Sequence, residues 1–204
     1  MSSNKTALLL IGFQNDYFHE NGILTGALED VSGRDRMLEN TLHLVDEVKD
    51  RDDFLVISTP IQFTEDYSEL NEPTGILKTI KDTGAFLKDS PGSETIEEFV
   101  RFSSSILEIK GKRGLNAFSN TNLESFLREN DVDRVALAGV VTSVCIDSTG
   151  RSAHEKGFDV TVLSDCTAGR TEFEQQFYCD QIFPLYATVG TKEELIRSKP
   201  EVSA

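Results

Sequence analysis

Residues 135–150 read VALAGVVTSVCIDSTG, an apolar run followed directly by a turn and a helix-compatible segment. This pattern predicts a buried strand, a sharp turn and then a helix that carries Cys145 in its first turn. Unpaired backbone N–H groups and the positive end of the helix dipole lie at such a position, and both stabilise a thiolate. Cys145 is therefore a candidate nucleophile, and the alternative is a small buried thiol of the core.

Similar apolar runs occur along the whole chain and alternate with amphipathic helical segments. Strands that are apolar throughout are typical of a parallel sheet covered on both faces. The alternation predicts an α/β fold: a doubly wound six-stranded parallel sheet of order 3-2-1-4-5-6 with helices on both faces. The predicted strands are residues 6–11, 54–59, 105–109, 134–139, 159–164 and 187–189.

Helix signals are clearest in three segments. A single apolar face predicts a helix over residues 34–49. Thr121 with Glu124, and Thr191 with Glu194, form predicted capping boxes that open two further helices. The side chains expected to be buried are Met37, Thr41, Val45 and Val48 in the first helix and Leu123, Phe126 and Leu127 in the second.

The chain of 204 residues is long enough for one large domain, and no internal repeat or linker divides it. We therefore expect a single domain over residues 1–204. Residues 60–102 form an insertion that is longer than a simple crossover, and long insertions often cover active sites. A short helix is predicted within it at residues 93–99.

Composition and charge narrow the partners. The net charge of −15 would repel both nucleic acid and anionic membranes, so neither is an expected partner. No apolar run approaches the ~20 residues that span a bilayer, and residues 1–5 lack a signal-peptide core. The odd cysteine count, with Cys145, Cys166 and Cys179, suits a reducing compartment. We expect a cytoplasmic protein.

The predicted sheet places a ligand site at the carboxyl ends of its strands, where the strand order reverses. The first strand ends at Gly12 and the fourth at Gly139, just before the Cys145 turn, so these segments should meet. Lys112 follows the third strand in a tight loop between Gly111 and Gly114. It is the leading candidate for a cation that balances negative charge at the site, although most lysines are solvated surface residues.

Three segments together resemble the isochorismatase-like cysteine hydrolase superfamily, which includes nicotinamidases and N-carbamoylsarcosine amidases. They are residues 7–18 (ALLLIGFQNDYF), the stretch from Lys112 through Asn116 and Phe118 to Leu123, and residues 139–145 (GVVTSVC). Their order and spacing match the family over most of the chain. The resemblance implies the same doubly wound fold.

The resemblance also implies a catalytic set of an aspartate after strand one, a lysine after strand three and a cysteine after strand four. Lys112 and Cys145 match two of these positions, but Gly12 stands where the family has its aspartate. That aspartate serves as general base toward the cysteine and as proton donor to the leaving group, and glycine can do neither. A cis peptide before Val141 is a further expectation from the resemblance.

Three explanations for Gly12 stay open: a relocated acid, a catalytically silent binding protein, or an engineered replacement of the aspartate. Glu65, soon after the second strand, is the tentative substitute because it could lean over the space left by a glycine; otherwise it is a solvated loop carboxylate. Asp16 stands behind it, although the resemblance implies a structural role for that residue. Glycine could also enlarge the pocket for a bulkier substrate.

The expected reaction follows from which of the family's functional residues this chain has and which it lacks. By resemblance, nicotinamidases bind a metal through an Asp-x-His pair and another histidine, a spacing that His19, His43 and His154 lack. We therefore expect no metal and no other cofactor. A true isochorismatase cleaves a vinyl ether with the aspartate and without a nucleophilic cysteine. This chain has the reverse, which favours cleavage of a C–N bond in a small amide or carbamoyl substrate through an acyl-enzyme. The alternatives are a silent member and a vinyl ether hydrolase.

Four residues are candidates for contacting that small-molecule substrate: Val141, Thr142, Asn116 and Phe118. Backbone N–H groups of the turn 141–145 would form the oxyanion hole. Core packing is the alternative role for Phe118. By resemblance, Arg170 and Glu172 reach a subunit interface or the rim of the site, and the protein forms a homo-oligomer.

Overall fold

The computed structural model describes residues 5–198 and contains one six-stranded sheet of order β3-β2-β1-β4-β5-β6, in which all paired strands are parallel. The predicted strand order is therefore confirmed. Strand ends differ from the predicted ends by up to four residues, most at β5. The strands are β1 Lys5–Ile11, β2 Phe54–Ser58, β3 Ile106–Glu108, β4 Val132–Val140, β5 Asp159–Ala168 and β6 Thr188–Gly190.

Helices lie on both faces of this sheet. Leu8 and Leu10 of β1 pack in the cluster that includes the buried face of α2, whereas Leu9 and Ile11 point to the opposite cluster, which includes residues of α4 and Cys145. Alternate strand residues thus face different layers, as the apolar strands predict. The helices are α1 Asn15–Phe18, α2 Val31–Val48, α3 Gly75–Thr83, α4 Leu123–Glu129, α5 Asp147–Glu155, α6 Glu172–Phe177 and α7 Lys192–Arg197.

Helix α2 begins three residues earlier than predicted. Asp30 is its N-cap, and a carboxylate oxygen of Asp30 accepts a hydrogen bond of 2.9 Å from the Gly33 N–H. Such a cap satisfies a donor that the helix itself leaves unpaired. The predicted inner face is confirmed, since Met37, Thr41, Val45 and Val48 are all buried.

The two predicted capping boxes have different outcomes. Thr191 and Glu194 form the box at the start of α7. The box at Thr121 is wrong because Asn122 is the N-cap of α4. The Thr121 hydroxyl instead donates to the Ala117 carbonyl at 2.7 Å, which closes the preceding turn. The helix still buries Leu123 and Leu127, as expected, whereas Phe126 is only half-buried.

The insertion at residues 60–102 is fastened to the end of β1. The buried Gln14 amide donates to the carbonyls of Ile61 at 2.9 Å and Ser93 at 2.8 Å, and it accepts from the Ile61 N–H at 2.9 Å. One side chain therefore holds both ends of the insertion over the carboxyl edge of the sheet. The short helix predicted at 93–99 lies later, as a 3-10 helix at Glu97–Phe102.

No helix within residues 5–198 is both long enough and apolar enough to cross a membrane.

Candidate active site

Residues Thr142–Ile146 connect β4 to α5 and carry the candidate nucleophile Cys145, so this segment is called the nucleophile turn. The peptide between Val140 and Val141 is cis, which confirms the expectation drawn from the resemblance. The turn is π-helical, so Cys145 precedes α5 rather than lying in its first turn as predicted. The Val141 carbonyl accepts from the N–H groups of Val144 at 3.0 Å and Ile146 at 3.2 Å. Single π-helical turns often occur at functional sites.

Lys112 and Cys145 meet, although two strands separate β3 from β4, because the loop after β3 pairs with residues 61 and 62 after β2. The Lys112 Nζ lies 3.7 Å from the Cys145 Sγ. Both side chains are buried, with 2% of Lys112 and 5% of Cys145 exposed. The Lys112 backbone is fixed to the start of the insertion, because its carbonyl accepts from the Gln62 N–H at 3.2 Å. A buried ammonium is costly without a polar partner, and the sulfur supplies one.

Gly12 is packed against Val140 at the end of the adjacent strand β4. Its φ is +77°, and a Cβ added there would lie 2.8 Å from the Val140 carbonyl oxygen and 2.9 Å from Val140 Cγ2. The idea that the glycine leaves an open space, or enlarges the pocket, is therefore wrong. Val140 occupies the direction in which a side chain at position 12 would begin.

The loop that carries Glu65 lies beside the Lys112 loop, but Glu65 itself is exposed. Glu69 is the carboxylate of this loop that turns inward, with an oxygen 3.8 Å from the Arg113 Nε. Burial opposes its ionisation, yet hydrogen bonds from its own backbone and Thr64, together with Arg113, hold its pKa below the usual range. Sequence reasoning missed Glu69, whose only signal is the opposite charge at Arg113. A catalytic role for Glu65 stays a prediction.

Asp16 has a structural position. Its side chain is 2% exposed and accepts hydrogen bonds from the backbone N–H groups of Ile23 at 3.2 Å and Phe86 at 2.6 Å. These bonds tie α1 to the insertion and engage both carboxylate oxygens. They agree with the structural role that the resemblance implies and count against Asp16 as the relocated acid.

Tyr17, next to Asp16, is a site neighbour that sequence reasoning missed. It is buried, and its ring packs against Phe86 with centroids 5.1 Å apart. Burial raises the pKa of its hydroxyl far above the ordinary value, and the negative charges of Cys145 and Asp16 add to that shift. The phenol thus remains protonated within electrostatic range of Cys145. No spacing rule in the sequence singles out this tyrosine.

The four predicted substrate-contacting residues have different surroundings. Val141 and Thr142 are buried beside Cys145, and the Thr142 hydroxyl donates to the Gln175 side-chain carbonyl. Asn116 closes its own turn, since its Oδ1 accepts from the Phe118 N–H at 2.9 Å.

Phe118 packs against another aromatic residue of the core. Its ring stacks on Phe158, with centroids 6.0 Å apart. Phe158 precedes β5 and therefore lies at the amino edge of the sheet, opposite the carboxyl edge that carries Cys145. This packing favours the core role, and a substrate contact by Phe118 stays a prediction.

The remaining cysteines are not alternatives to Cys145. Cys166 is fully buried, and burial followed by the charge of Asp165 raises the pKa of its thiol well above the usual range. Burial and then Asp180 raise the pKa of the half-buried Cys179 thiol to about 11. Thiols held protonated in this way are poor nucleophiles near neutral pH.

Metal-binding side chains are dispersed over the part of the chain that the structure describes. Within residues 5–198, no group of three or more His, Cys, Asp or Glu side chains is arranged to hold an ion. His43 and His154 are exposed on α2 and α5, and His19 is exposed after α1. The expectation of an enzyme without metal or other cofactor stays a prediction.

A doubly wound α/β domain with a buried lysine–cysteine pair where its strand order reverses has the layout of a cysteine hydrolase. Residues 6–194 match the family model for the isochorismatase domain. The chain therefore belongs to the isochorismatase family of hydrolases, as the three sequence segments indicated.

Similar proteins share this architecture at low sequence identity. A solved isochorismatase-like hydrolase from Alkaliphilus metalliredigens superposes with a TM-score of 0.80 at 24% identity, over 94% of this chain and 97% of that one. An Arabidopsis thaliana protein named "probable inactive nicotinamidase" is 29% identical over 81% of this chain and 82% of its own length.

Two further relatives extend the comparison. The ureidoacrylate amidohydrolase RutB of Agrobacterium fabrum is 26% identical over 82% of this chain and 77% of its own length. The isochorismatase family protein YecD of Escherichia coli O157:H7 is 31% identical, but the match spans 43% of this chain and 46% of that protein. The chain thus covers less than half of some curated relatives that it matches.

Proposed function

We propose that this protein is a metal-independent cysteine hydrolase that cleaves a C–N bond in a small amide or carbamoyl substrate through a covalent acyl-enzyme. The observation that carries the proposal is the 3.7 Å approach of the Lys112 Nζ to the Cys145 Sγ in a buried site. A positive charge ~4 Å from a negative one is worth about 4 kcal/mol at an effective dielectric constant near 20. The ammonium therefore favours the thiolate, which is the nucleophilic form.

In the first half-reaction, the Cys145 thiolate attacks the substrate carbonyl carbon, a C–S bond forms and the carbonyl electrons move to oxygen. Val144 and Ile146 already donate to the Val141 carbonyl, so the N–H groups of Thr142, Ser143 and Cys145 are the candidates for holding that oxyanion. Collapse of the intermediate breaks the C–N bond. Lys112 supplies the proton that the leaving nitrogen takes.

In the second half-reaction, water attacks the thioester carbon and gives its proton to the neutral Lys112 amine. The C–S bond breaks, which releases the acid and restores the thiolate beside the ammonium. The cycle consumes one amide and one water and yields one acid and one amine or ammonia. Lys112 thus takes over the proton transfer that the family assigns to the aspartate.

Of the two alternative functions, only the silent member has specific support. A silent member agrees with Gly12 and with the Arabidopsis relative named as inactive. A vinyl ether hydrolase is favoured less, because that reaction relies on the acid that Gly12 lacks. The cytoplasmic location and the homo-oligomer remain part of the proposal.

The test is reaction with iodoacetamide near neutral pH, followed by mass spectrometry to locate the adduct. We expect one fast phase at Cys145 that disappears in Cys145→Ser and persists in the matched control Cys179→Ser. A panel of small amides, ureas and formamides should then leave an acyl adduct on Cys145 during turnover. Equally slow alkylation of all three thiols in folded protein would overturn the proposal and favour the silent member.

A further inference from the structure

The inner face of α6 is bonded to the nucleophile turn. The Gln175 carbonyl oxygen accepts from the Thr142 hydroxyl, while its Nε2 donates to the Ser164 carbonyl at 3.0 Å and to the Thr167 hydroxyl at 3.0 Å. One amide therefore joins three elements: the turn that carries Cys145, the carboxyl end of β5, and α6. Thr142 is fully buried, so its hydroxyl depends on this partner.

The chemistry of the partners fixes which way this amide points. The Ser164 carbonyl can only accept, so it must face the NH₂ group of Gln175. The amide oxygen then faces the Thr142 hydroxyl, which must donate. The Gln175 amide therefore uses both its acceptor and its donor atoms, and a flipped amide would set two acceptors against each other at Ser164.

A second contact runs parallel to the first. The Glu174 carboxylate accepts from the Arg170 Nε at 2.7 Å, and although burial opposes its ionisation, the nearby Ser143 side chain helps to lower its pKa. Thr142 and Ser143 are the first two residues of the nucleophile turn, and adjacent residues of α6 hold both. The turn is thus anchored on the side away from Lys112.

We propose that Gln175 is a positioning residue for Cys145: by holding the Thr142 hydroxyl, it sets the turn so that the sulfur stays beside Lys112 and the backbone N–H groups point at the substrate carbonyl. This inference rests on the proposed cysteine hydrolase. A displacement of ~1 Å at a reacting group can lower a rate by roughly 100-fold, so a hydrogen bond that fixes the position of the turn can affect the rate strongly. Gln175 itself touches no reacting atom.

The test compares Gln175→Met, which keeps the length of the side chain and removes its hydrogen bonds, with Gln176→Met at the neighbouring exposed position. The readouts are the rate of Cys145 alkylation, kcat, KM and the melting temperature. We expect Gln175→Met to lower alkylation and kcat by at least roughly tenfold with KM within about threefold, and Gln176→Met to behave as wild type. The Cys145 alkylation rate of Thr142→Val should match that of Gln175→Met. The rate of Thr142→Ser, which keeps the hydroxyl, should exceed that of Thr142→Val by at least fivefold.

The double variant Thr142→Val/Gln175→Met separates positioning from general destabilisation. We expect its alkylation rate to equal that of either single variant, because each already breaks the same bond. Additive losses, or a Gln175→Met protein that reacts as fast as wild type, would overturn the inference. If Gln175→Met fails to fold, equal reactivity of Thr142→Val and Thr142→Ser would overturn it instead. Slow alkylation of the wild type contradicts the proposed function, whereas a fast wild type with unaffected variants contradicts this inference alone.

Discussion

Placing a side chain at position 12 tests how the missing acid is accommodated. In Gly12→Ala the alanine has to adopt a φ near +77°, and its Cβ has to lie 2.8 Å from the Val140 carbonyl oxygen. The left-handed backbone costs a non-glycine residue ~1–2 kcal/mol, and forcing an atom into a packed interior costs ~1–3 kcal/mol. We expect the free energy of unfolding to fall by ~2–5 kcal/mol, which for a chain of this size lowers the melting temperature by at least ~4 °C.

Gly12→Asp has the same Cβ contacts and also buries a carboxylate, so it should be at least as unstable as Gly12→Ala. It should not restore turnover sharply, because the new Cβ would lie 2.8 Å from the Val140 carbonyl oxygen and the side chain could enter only if β4 shifts. Adding Val140→Ala removes the contact with Cγ2 at 2.9 Å but leaves the carbonyl contact, so it should recover only part of the loss.

The assays are urea unfolding, thermal unfolding and turnover of any substrate found in the amide panel. A Gly12→Asp protein with unchanged stability and a sharp gain in turnover would contradict this account. It would instead indicate that glycine replaced an aspartate in an otherwise working site.

Two further changes test the charges around the nucleophile. Lys112→Met should slow Cys145 alkylation at neutral pH by at least roughly tenfold, because the thiolate loses the ammonium that lies 3.7 Å from its sulfur. An unchanged alkylation rate would mean that Lys112 does not support the thiolate. Burial opposes ionisation of Glu174, but hydrogen bonding with Ser143 and Arg170 holds its pKa below the usual value. The ionised carboxylate therefore stabilises the fold above pH ~4.3, and this contribution is lost as the pH falls through the lowered pKa. Urea unfolding between pH 6 and 3 should therefore show a smaller acid-induced loss for Glu174→Gln than for wild type or the exposed control Glu172→Gln, and identical slopes would count against the bond to Ser143.

The parts of the fold that the sequence predicts are those set by local periodicity. Uniformly apolar runs locate the strands, and their alternation with helices leads to the strand order, which in turn brings the Gly12 and Cys145 segments together. Strand ends are less well predicted, since β5 continues to Ala168 through polar residues that periodicity alone assigns to a loop.

The parts that the sequence does not predict depend on contacts between distant positions. Val140 fills the direction of a side chain at Gly12 only because β1 and β4 are neighbours, and Phe118 reaches Phe158 only after the chain has crossed the sheet. The bond between Thr142 and Gln175 joins residues 33 positions apart. None of these pairs leaves a local signature, and the π-helical form of the nucleophile turn leaves none either.

The geometry around Gly12 bears directly on where the catalytic proton resides. A Cβ at position 12 would lie 2.8 Å from the Val140 carbonyl oxygen, so the backbone there does not readily accept the side chain of an acid, whereas the Lys112 ammonium is already 3.7 Å from the Cys145 sulfur. Glu65 is exposed and Asp16 already accepts two backbone hydrogen bonds, so both are less suited than Lys112 to exchange this proton. The Tyr17 phenol holds its proton too strongly to act as a base. A lysine that both stabilises the thiolate and protonates the leaving nitrogen satisfies the proton balance without a relocated carboxylate. The loss of the aspartate is therefore compatible with catalysis, provided that Lys112 is the group that exchanges the proton.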